Sequence, residues 1–219
     1  AKSNYSHYVD NENGTGAGPN GITSSAAALV VEIAMAIDDE GFDFSQFDNG
    51  EGFIDVIILI AAGKGGNQNG NFFWPHMFVI PTSGNGLEDI DPNVPVSSSG
   101  SFAPDGIIIQ KYMVIHEMYA WSQDGIAIGN IHPIGTICHE LGHVLGLPDL
   151  YDNSDSPASG IGKWGLMGSG NYQIQTSPAY MSAWSRYRLG FIVPDTISDV
   201  YNLEITIPQA EGLDVGAAY

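Results

Sequence analysis

One stretch of the sequence, residues 136–149, constrains the fold of this chain more than any other. It reads Thr-Ile-Cys-His-Glu-Leu-Gly-His-Val-Leu-Gly-Leu-Pro-Asp and contains the pattern H-E-x-x-H-x-x-G-x-x-D. Apolar residues recur through it at spacings of three and four, which predicts an amphipathic helix. The apolar side, which we expect to be buried, consists of Ile134, Ile137, Cys138, Leu141 and Leu145.

The two histidines of the pattern are spaced to bind one metal ion. On a helix, residues four apart lie about 40° apart around the axis and about 6 Å apart along it. His139 and His143 can therefore direct two imidazole nitrogens at the same ion, and Glu140 can reach a water bound to it. Neutral imidazole suits Zn²⁺, and an open fourth position makes such a site catalytic, with Glu140 as general base.

A third ligand is expected just beyond the helix. Gly146 lies where helices commonly end in a left-handed residue, and the residue before Pro148 is biased away from helix. The resulting turn can bring the carboxylate of Asp149 back to the same ion. Since a catalytic zinc takes three protein ligands and a water, we predict Asp149 as the third ligand. The alternative is a chance histidine pair on a solvent-facing helix.

Composition excludes some classes of partner. The 219 residues are 43% hydrophobic, enough for one domain or two lobes around a cleft. The formal net charge of −19, with six basic residues, argues against nucleic acid and anionic membranes as partners. No apolar run reaches membrane-spanning length, so no membrane insertion is expected. Cys138 is the only cysteine, so there is no internal disulfide.

Pattern and turn residues predict an α/β domain with the site in a cleft. Helices are expected over 23–39 (ended by Gly41), 133–145 and 178–189. Strands are expected over 53–62, buried on both faces, and over 77–80, 107–116 and 196–207. Residues 1–21 are expected to form an irregular arm and residues 82–106 a surface loop.

An acidic loop precedes the first strand. Asp48-Asn49-Gly50-Glu51-Gly52, with Asp55 after it, is rich in oxygen ligands of the kind that Ca²⁺ prefers. Asp48 and Asp55 are therefore candidate calcium ligands. The loop is one residue tighter than the usual D-x-D-x-D-G pattern, and an ordinary acidic turn explains it equally well.

Longer stretches resemble one family. Residues 139–152 (His-Glu-Leu-Gly-His-Val-Leu-Gly-Leu-Pro-Asp-Leu-Tyr-Asp) and 162–170 (Gly-Lys-Trp-Gly-Leu-Met-Gly-Ser-Gly) resemble the immune inhibitor A family of secreted bacterial zinc metallopeptidases. Residues 177–185 and 53–63 are similar to the helix and the central strand of that family. Together these stretches cover most of residues 47–194.

The resemblance implies a metzincin-like zinc peptidase domain. Such a domain has a twisted mixed sheet, an active-site helix and a lower lobe, with Met167 in a tight turn beneath the zinc. Asp149 departs from the pattern, because most metzincins have a histidine there. The catalytic domain would span 1–194, with the upper lobe ending near 146, and 195–219 would begin a following β segment.

The predicted function is that of a secreted, monomeric zinc endopeptidase acting on protein or peptide substrates. The alternative is a catalytically inactive binding module stabilised by zinc or calcium. Glu140 beside both histidines favours the enzyme, because a structural site needs only the ligands. A zinc hydrolase with a glutamate ligand on a later helix is disfavoured, since only Glu204 and Glu211 follow Asp149, outside any helical pattern.

Overall fold

The computed structural model describes residues 5–9, 14–15, 25–65, 72–83, 87–119, 130–152, 159–174 and 176–196. The helices are α1 (Tyr5–Val9), α2 (Ser25–Asp39), α3 (Leu87–Ile90), α4 (Ile134–Val144) and α5 (Ala183–Arg188). The strands are β1 (Phe53–Ile54), β2 (Ile57–Lys64), β3 (His76–Val79), β4 (Ile108–Ile109) and β5 (Lys111–Met118). The predicted mixed α/β class is confirmed. The strand expected over 196–207 lies, beyond Thr196, outside the described residues.

The sheet that carries the site has three strands in the order β2-β5-β3. β2 runs parallel to β5, and β3 runs antiparallel to it, with Met77 opposite Met113. β1 and β4 form a separate parallel pair. β5 is the central strand, and its residues Tyr112, Met113 and Val114 are fully buried. β3 therefore lies at an edge of the sheet.

The strand expected over 53–62 differs from the prediction in two ways. It is divided into β1 and β2, and β2 is not buried on both faces, because Ile58 is 43% and Ile60 is 64% exposed. The expectation of burial was wrong because β2 lies at the other edge of the sheet, whereas β5 takes the central place. A continuous apolar run cannot by itself distinguish an edge strand from a central one.

The main core lies between α2 and the sheet. α2 ends as predicted at Gly41, whose φ is +87°. The helix buries its alanine and valine side chains together with Tyr112 and Val114 of β5. The expectation of a surface loop over 82–106 is wrong in part, because this segment contains α3 and because its Leu87 and Phe102 side chains are completely buried. Its Gly, Pro and Ser residues mark turns, while its few apolar residues still enter the core.

The amino-terminal arm is not irregular where it is described. Residues of α1 pack on α2, and Tyr8 is buried with its hydroxyl donating to Oε2 of Glu32 at 2.7 Å. The expectation of an irregular arm is therefore wrong for these five residues. Among the helices of the described residues, none has the length and apolar character needed to cross a membrane.

The last helix is shorter than predicted, since α5 begins only at Ala183. Ser182 forms its N-cap, and its Oγ accepts the backbone N–H of Ser185 at 3.1 Å. The residues before it form backbone hydrogen bonds with the segment around Met167. Those bonds occupy the groups that a longer helix would have needed, and a serine N-cap is a strong start signal.

Candidate metal centre

Helix α4 carries the histidine pattern and has well-defined ends. It follows Pro133 and ends before Gly146, whose φ of +92° is the left-handed conformation predicted there. The Nζ of Lys111, on β5, donates to the carbonyl oxygen of Val144 at 3.4 Å. A cation at this end of a helix is favoured by the helix dipole. The predicted helix over 133–145 is confirmed.

The expectation that the apolar side of α4 is buried is wrong in part, since Ile137 and Cys138 are half-buried and Cys138 packs against the cluster around Met167. The buried residues of the helix are Gly135, Thr136, His139, Glu140 and Gly142, whereas the apolar residues Ile134 and Leu145 are 51% and 53% exposed. β3 and β5 pack against α4, and the most buried residues of the helix are those of its polar side. Periodicity shows which residues share a face, but it cannot say what covers that face.

The ligand atoms of three predicted residues converge. Oδ1 of Asp149 lies 3.1 Å from Nε2 of His139 and 3.3 Å from Nε2 of His143. Among the described residues, these three form the only group of His, Cys, Asp and Glu side chains whose ligand atoms lie close enough to share a metal ion. The turn at Gly146 thus brings Asp149 back to the helix, as the sequence suggested.

Hydrogen bonds determine which ring nitrogen of each histidine carries the hydrogen and which one has a free lone pair directed at Asp149. Nδ1 of His139 lies 2.8 Å from the carbonyl oxygen of Leu166, and Nδ1 of His143 lies 2.8 Å from that of Leu147. A carbonyl oxygen only accepts, so each Nδ1 carries the hydrogen in the neutral ring. Each Nε2 then presents a lone pair to Asp149.

This donor set fits a metal cation. Two nitrogen lone pairs and a carboxylate oxygen repel one another at about 3 Å unless a proton or a cation lies among them. The hydrogen bond with Asp149 accordingly raises the pKa of His143. Metal-binding histidines typically donate their other N–H to a carbonyl or carboxylate, as both rings do here. His139, His143 and Asp149 are therefore the residues that could hold a metal.

Glu140 lies beside these ligands and near the sheet edge. Its side chain is buried, and its helix packs against β3, the strand that contains Met77. Burial raises the pKa of Glu140, and the neighbouring His139 and His143 partly offset that rise. A buried carboxylate with a raised pKa next to a metal-type donor set is a candidate proton carrier.

Met167 lies directly under α4. It is fully buried with Leu147 and Leu166, and it packs against Gly142 on the helix. Its carbonyl oxygen accepts the N–H of Leu150 at 2.8 Å, which ties the Asp149 segment to the same turn. Met167 therefore lies in a turn under α4, and its assignment to a turn that supports the zinc ligands stays a prediction.

The acidic loop is held by its own hydrogen bonds. Oδ1 of Asp48 accepts the N–H groups of Gly50 at 3.0 Å and Gly52 at 2.8 Å, and Nδ2 of Asn49 donates to Oδ1 of Asp55 at 3.0 Å. These contacts match the alternative of an ordinary acidic turn. The calcium assignment of Asp48 and Asp55 stays a prediction.

Two features escaped sequence reasoning. Both ring nitrogens of His116 are buried, and within the described residues they have no hydrogen-bond partner. The ring of Tyr151 lies nearly parallel to that of His139. Tyr151 lies in the 139–152 stretch that carries the resemblance but was given no role of its own, and His116 was expected to be a structural or surface residue.

A helix whose two histidines meet a downstream aspartate, with a buried glutamate beside them, is the arrangement of a metal-dependent hydrolase. The family model described as the immune inhibitor A peptidase M6 catalytic domain matches residues 3–192. The chain belongs to this family and is a metallopeptidase domain, which confirms the resemblance found in the sequence.

The named relatives of this chain agree with the family assignment. Immune inhibitor A of Bacillus thuringiensis subsp. alesti is 30% identical over 165 residues, which are 66% of this chain and 21% of that protein. The pre-pro-metalloprotease PrtV of Vibrio cholerae is 27% identical over 160 residues, which are 68% of this chain and 15% of that protein. The aligned residues thus span about a fifth or less of these relatives.

Proposed function

We propose that this domain is a zinc endopeptidase of a secreted protein, in which His139, His143 and Asp149 bind the zinc and Glu140 is the general base. The observation that carries the proposal is the convergence of two Nε2 atoms on one Asp149 oxygen, with both Nδ1 atoms tied to carbonyl groups. Two imidazoles and one carboxylate are a ligand set typical of catalytic zinc. The word pre-pro in the name of the Vibrio relative supports export.

When bound, zinc supplies a water of lowered pKa and polarises the carbonyl group to be cleaved. The protein supplies the proton transfers. Glu140 takes a proton from the attacking water and passes it to the leaving amine. Its buried position raises its pKa, which favours holding that proton between the two steps. The backbone N–H of Met77 lowers the pKa of Glu140 and offsets part of the effect of burial.

The sheet edge offers a place for the substrate. Within the described residues, β3 has a strand partner on one side only, namely β5. An extended peptide can pair with a free strand edge through backbone hydrogen bonds, whatever its side chains are. Because α4, which carries Glu140, packs against β3, a peptide bound there would pass close to the general base. This arrangement supports proteins or peptides as substrates.

The experiment separates metal binding from hydrolysis. The Glu140→Gln variant should retain zinc and fold, while casein cleavage falls by about 10²–10⁴-fold or more. His139→Ala should lose zinc together with activity. Glu40→Gln, a change at an exposed carboxylate after α2, is the matched control and should behave like the wild type.

Near-normal cleavage by Glu140→Gln with zinc still bound would refute the assigned mechanism. A wild-type protein that binds zinc but cleaves no peptide would favour the alternative of a binding module.

A further inference from the structure

Residues 156–194 differ in charge from the rest of the chain. They include no Asp or Glu and three of the six basic residues, Lys163, Arg186 and Arg188. Their formal charge is therefore +3 in a chain of −19. At physiological salt, exposed charges act over about 8 Å, so a ligand bound here is influenced mainly by these local cations. A local positive charge on a strongly acidic protein favours an acidic ligand.

The same residues expose large aromatic side chains. Trp164 is 82% and Tyr180 is 60% exposed. Basic groups lie over two of the rings: Nζ of Lys163 is 5.5 Å from the centre of the Trp164 ring, and Cζ of Arg188 is 6.0 Å from that of Trp184 on α5. The cores of binding interfaces are typically enriched in aromatic residues and arginine and depleted of acidic residues. Residues 156–194 have this composition.

Lys163, Trp164 and Tyr180 line one cavity of about 610 Å³. Its other walls include Ile174 and Pro178 and contain no charged side chain. A cavity of this size accommodates a few side chains of an extended peptide. A stable contact between two folded domains would instead need about 1,200 Å² or more of buried surface. The occupant that fits is an extended segment, with carboxylates for Lys163 and apolar side chains for the two rings.

The cavity adjoins the metal centre without being part of it. The backbone N–H of Leu166 donates to the carbonyl oxygen of Tyr180 at 3.0 Å, and the carbonyl oxygen of Leu166 lies 2.8 Å from Nδ1 of His139. The backbone of one residue thus connects the cavity wall to a candidate metal ligand. The lining residues include neither Glu140 nor any of the three candidate ligands. A segment bound in the cavity would therefore lie near the metal centre and leave its ligands uncovered.

We propose that this cavity binds an acidic, apolar segment of the protein substrate, so that the domain favours substrates that carry such a segment. The ammonium group of Lys163 pairs with the carboxylates of the segment, and the rings of Trp164 and Tyr180 pack on its apolar side chains. The role in substrate selection rests on the proposed peptidase function, whereas the binding itself needs no hydrolysis.

Binding is measured without turnover, by fluorescence anisotropy on the zinc-loaded Glu140→Gln variant. The probes are two labelled peptides of equal length, one alternating Glu with Phe and the other alternating Gln with Phe. The Glu-Phe peptide should bind about threefold or more tightly than the Gln-Phe peptide, as expected for exposed ion pairs. Added salt should reduce this difference, because it screens exposed charges.

Variants of the cavity identify the residues responsible, each made in the Glu140→Gln background. Trp164→Ala should weaken binding of both peptides by about tenfold or more, because tryptophan is a frequent hot spot of binding interfaces. Lys163→Glu should weaken binding of the Glu-Phe peptide alone. Lys64→Glu is the matched control, since it makes the same charge change at an exposed residue of β2, and it should leave both affinities within about twofold.

Cleavage tests the role in substrate selection. A cleavable peptide is compared with the same peptide extended by the Glu-Phe segment, using the wild-type zinc enzyme. The extension should lower KM and leave kcat unchanged, because it adds binding that is equal in the ground state and the transition state. Trp164→Ala should remove this advantage and cleave the unextended peptide like the wild type. Absence of cleavage together with tight binding of the Glu-Phe peptide would refute the proposed function while supporting the acidic-peptide site.

Three results would overturn the inference. The first is equal affinity for the Glu-Phe and Gln-Phe peptides, and the second is unchanged binding of both peptides by Trp164→Ala. The third is a wild-type dimer that Trp164→Ala converts to a monomer in sedimentation, because a second copy of the chain would then be the occupant. Both substituted side chains are exposed, so melting temperatures should match the wild type and changes in binding cannot be due to unfolding.

Discussion

Gly142 and Met167 meet so closely that a Cβ atom on Gly142 would clash with the sulfur of Met167. The glycine lies between the two histidines on the buried face of α4, and the methionine is fully buried beneath it. The contact sets how deeply the helix sits on the turn that also holds Leu166, whose carbonyl oxygen orients His139. A side chain at position 142 would push the helix away from that turn.

Gly142→Ala should therefore destabilise the protein by about 1–3 kcal/mol, the usual cost of overpacking a core. Alanine is otherwise the better helix former, so a loss of stability would be due to the clash. Urea unfolding of the single variant, of Met167→Ala and of the double variant measures it. The double variant should lose less unfolding free energy than the two single variants lose together, because alanine at position 167 leaves room for the Cβ atom at position 142. Additive losses, or a gain from Gly142→Ala alone, would contradict this contact.

Asp149→Ala should weaken zinc binding by about 100-fold or more, because it removes one of three ligands. Its Oδ1 is the atom on which both Nε2 atoms converge. Asp152→Ala is the control, since Asp152 is not part of the group whose ligand atoms lie close together. Chelator competition on both variants gives the answer. If Asp152→Ala loses zinc and Asp149→Ala retains it, the third ligand has been assigned wrongly.

His116 should make the metal-free protein less stable in acid. Burial, with smaller effects of His132 and His76, lowers its pKa from 6.5 to about 4 in the folded protein. Between these two values the unfolded chain binds the proton and the folded chain does not, so stability falls as the pH falls from about 6.5 towards 4. Above 6.5 the histidine contributes no pH dependence. The full effect is about 3 kcal/mol.

His116→Phe removes the titrating group while retaining an aromatic ring. Unfolding in urea at pH 7, 6 and 5, with a chelator present, should show a shallower loss of stability than in the wild type. Equal slopes for the two proteins would show that His116 does not titrate between these pH values.

If the acidic loop is an ordinary turn, the alternative to a calcium site, its stability should not depend on calcium. Asp48→Ala removes the acceptor of two backbone N–H groups. It should lower the melting temperature by the same amount in calcium and in chelator, because the lost contacts involve no ion. Glu51→Ala is the control, since the loop contact of Glu51 is made by its backbone N–H. A melting temperature that rises with calcium in the wild type but not in Asp48→Ala would instead establish the calcium site.

Local chemistry explains what the sequence determined by itself. The four-residue spacing of the histidines, the glycine end of α4 and the turn to Asp149 depend on neighbours in the chain, so they could be derived without a fold. The family assignment followed from the same residues and from the other stretches of the sequence that resemble the family. The predicted ends of α2 lie close to the observed ends for the same reason, because Gly41 terminates the helix.

The tertiary structure alone decided what each element faces. The apolar residues of α4 recur as predicted, but the residues most buried against the rest of the domain are His139, Glu140 and their neighbours on the polar side. β2 and β5 both have apolar sequences, and only strand order makes one an edge and the other the centre. The contact of Tyr151 with His139 depends on how the loop returns to the helix. Burial and pairing are properties of the assembled chain, because each depends on residues distant in sequence, whereas a helical period or a turn is set within a few residues.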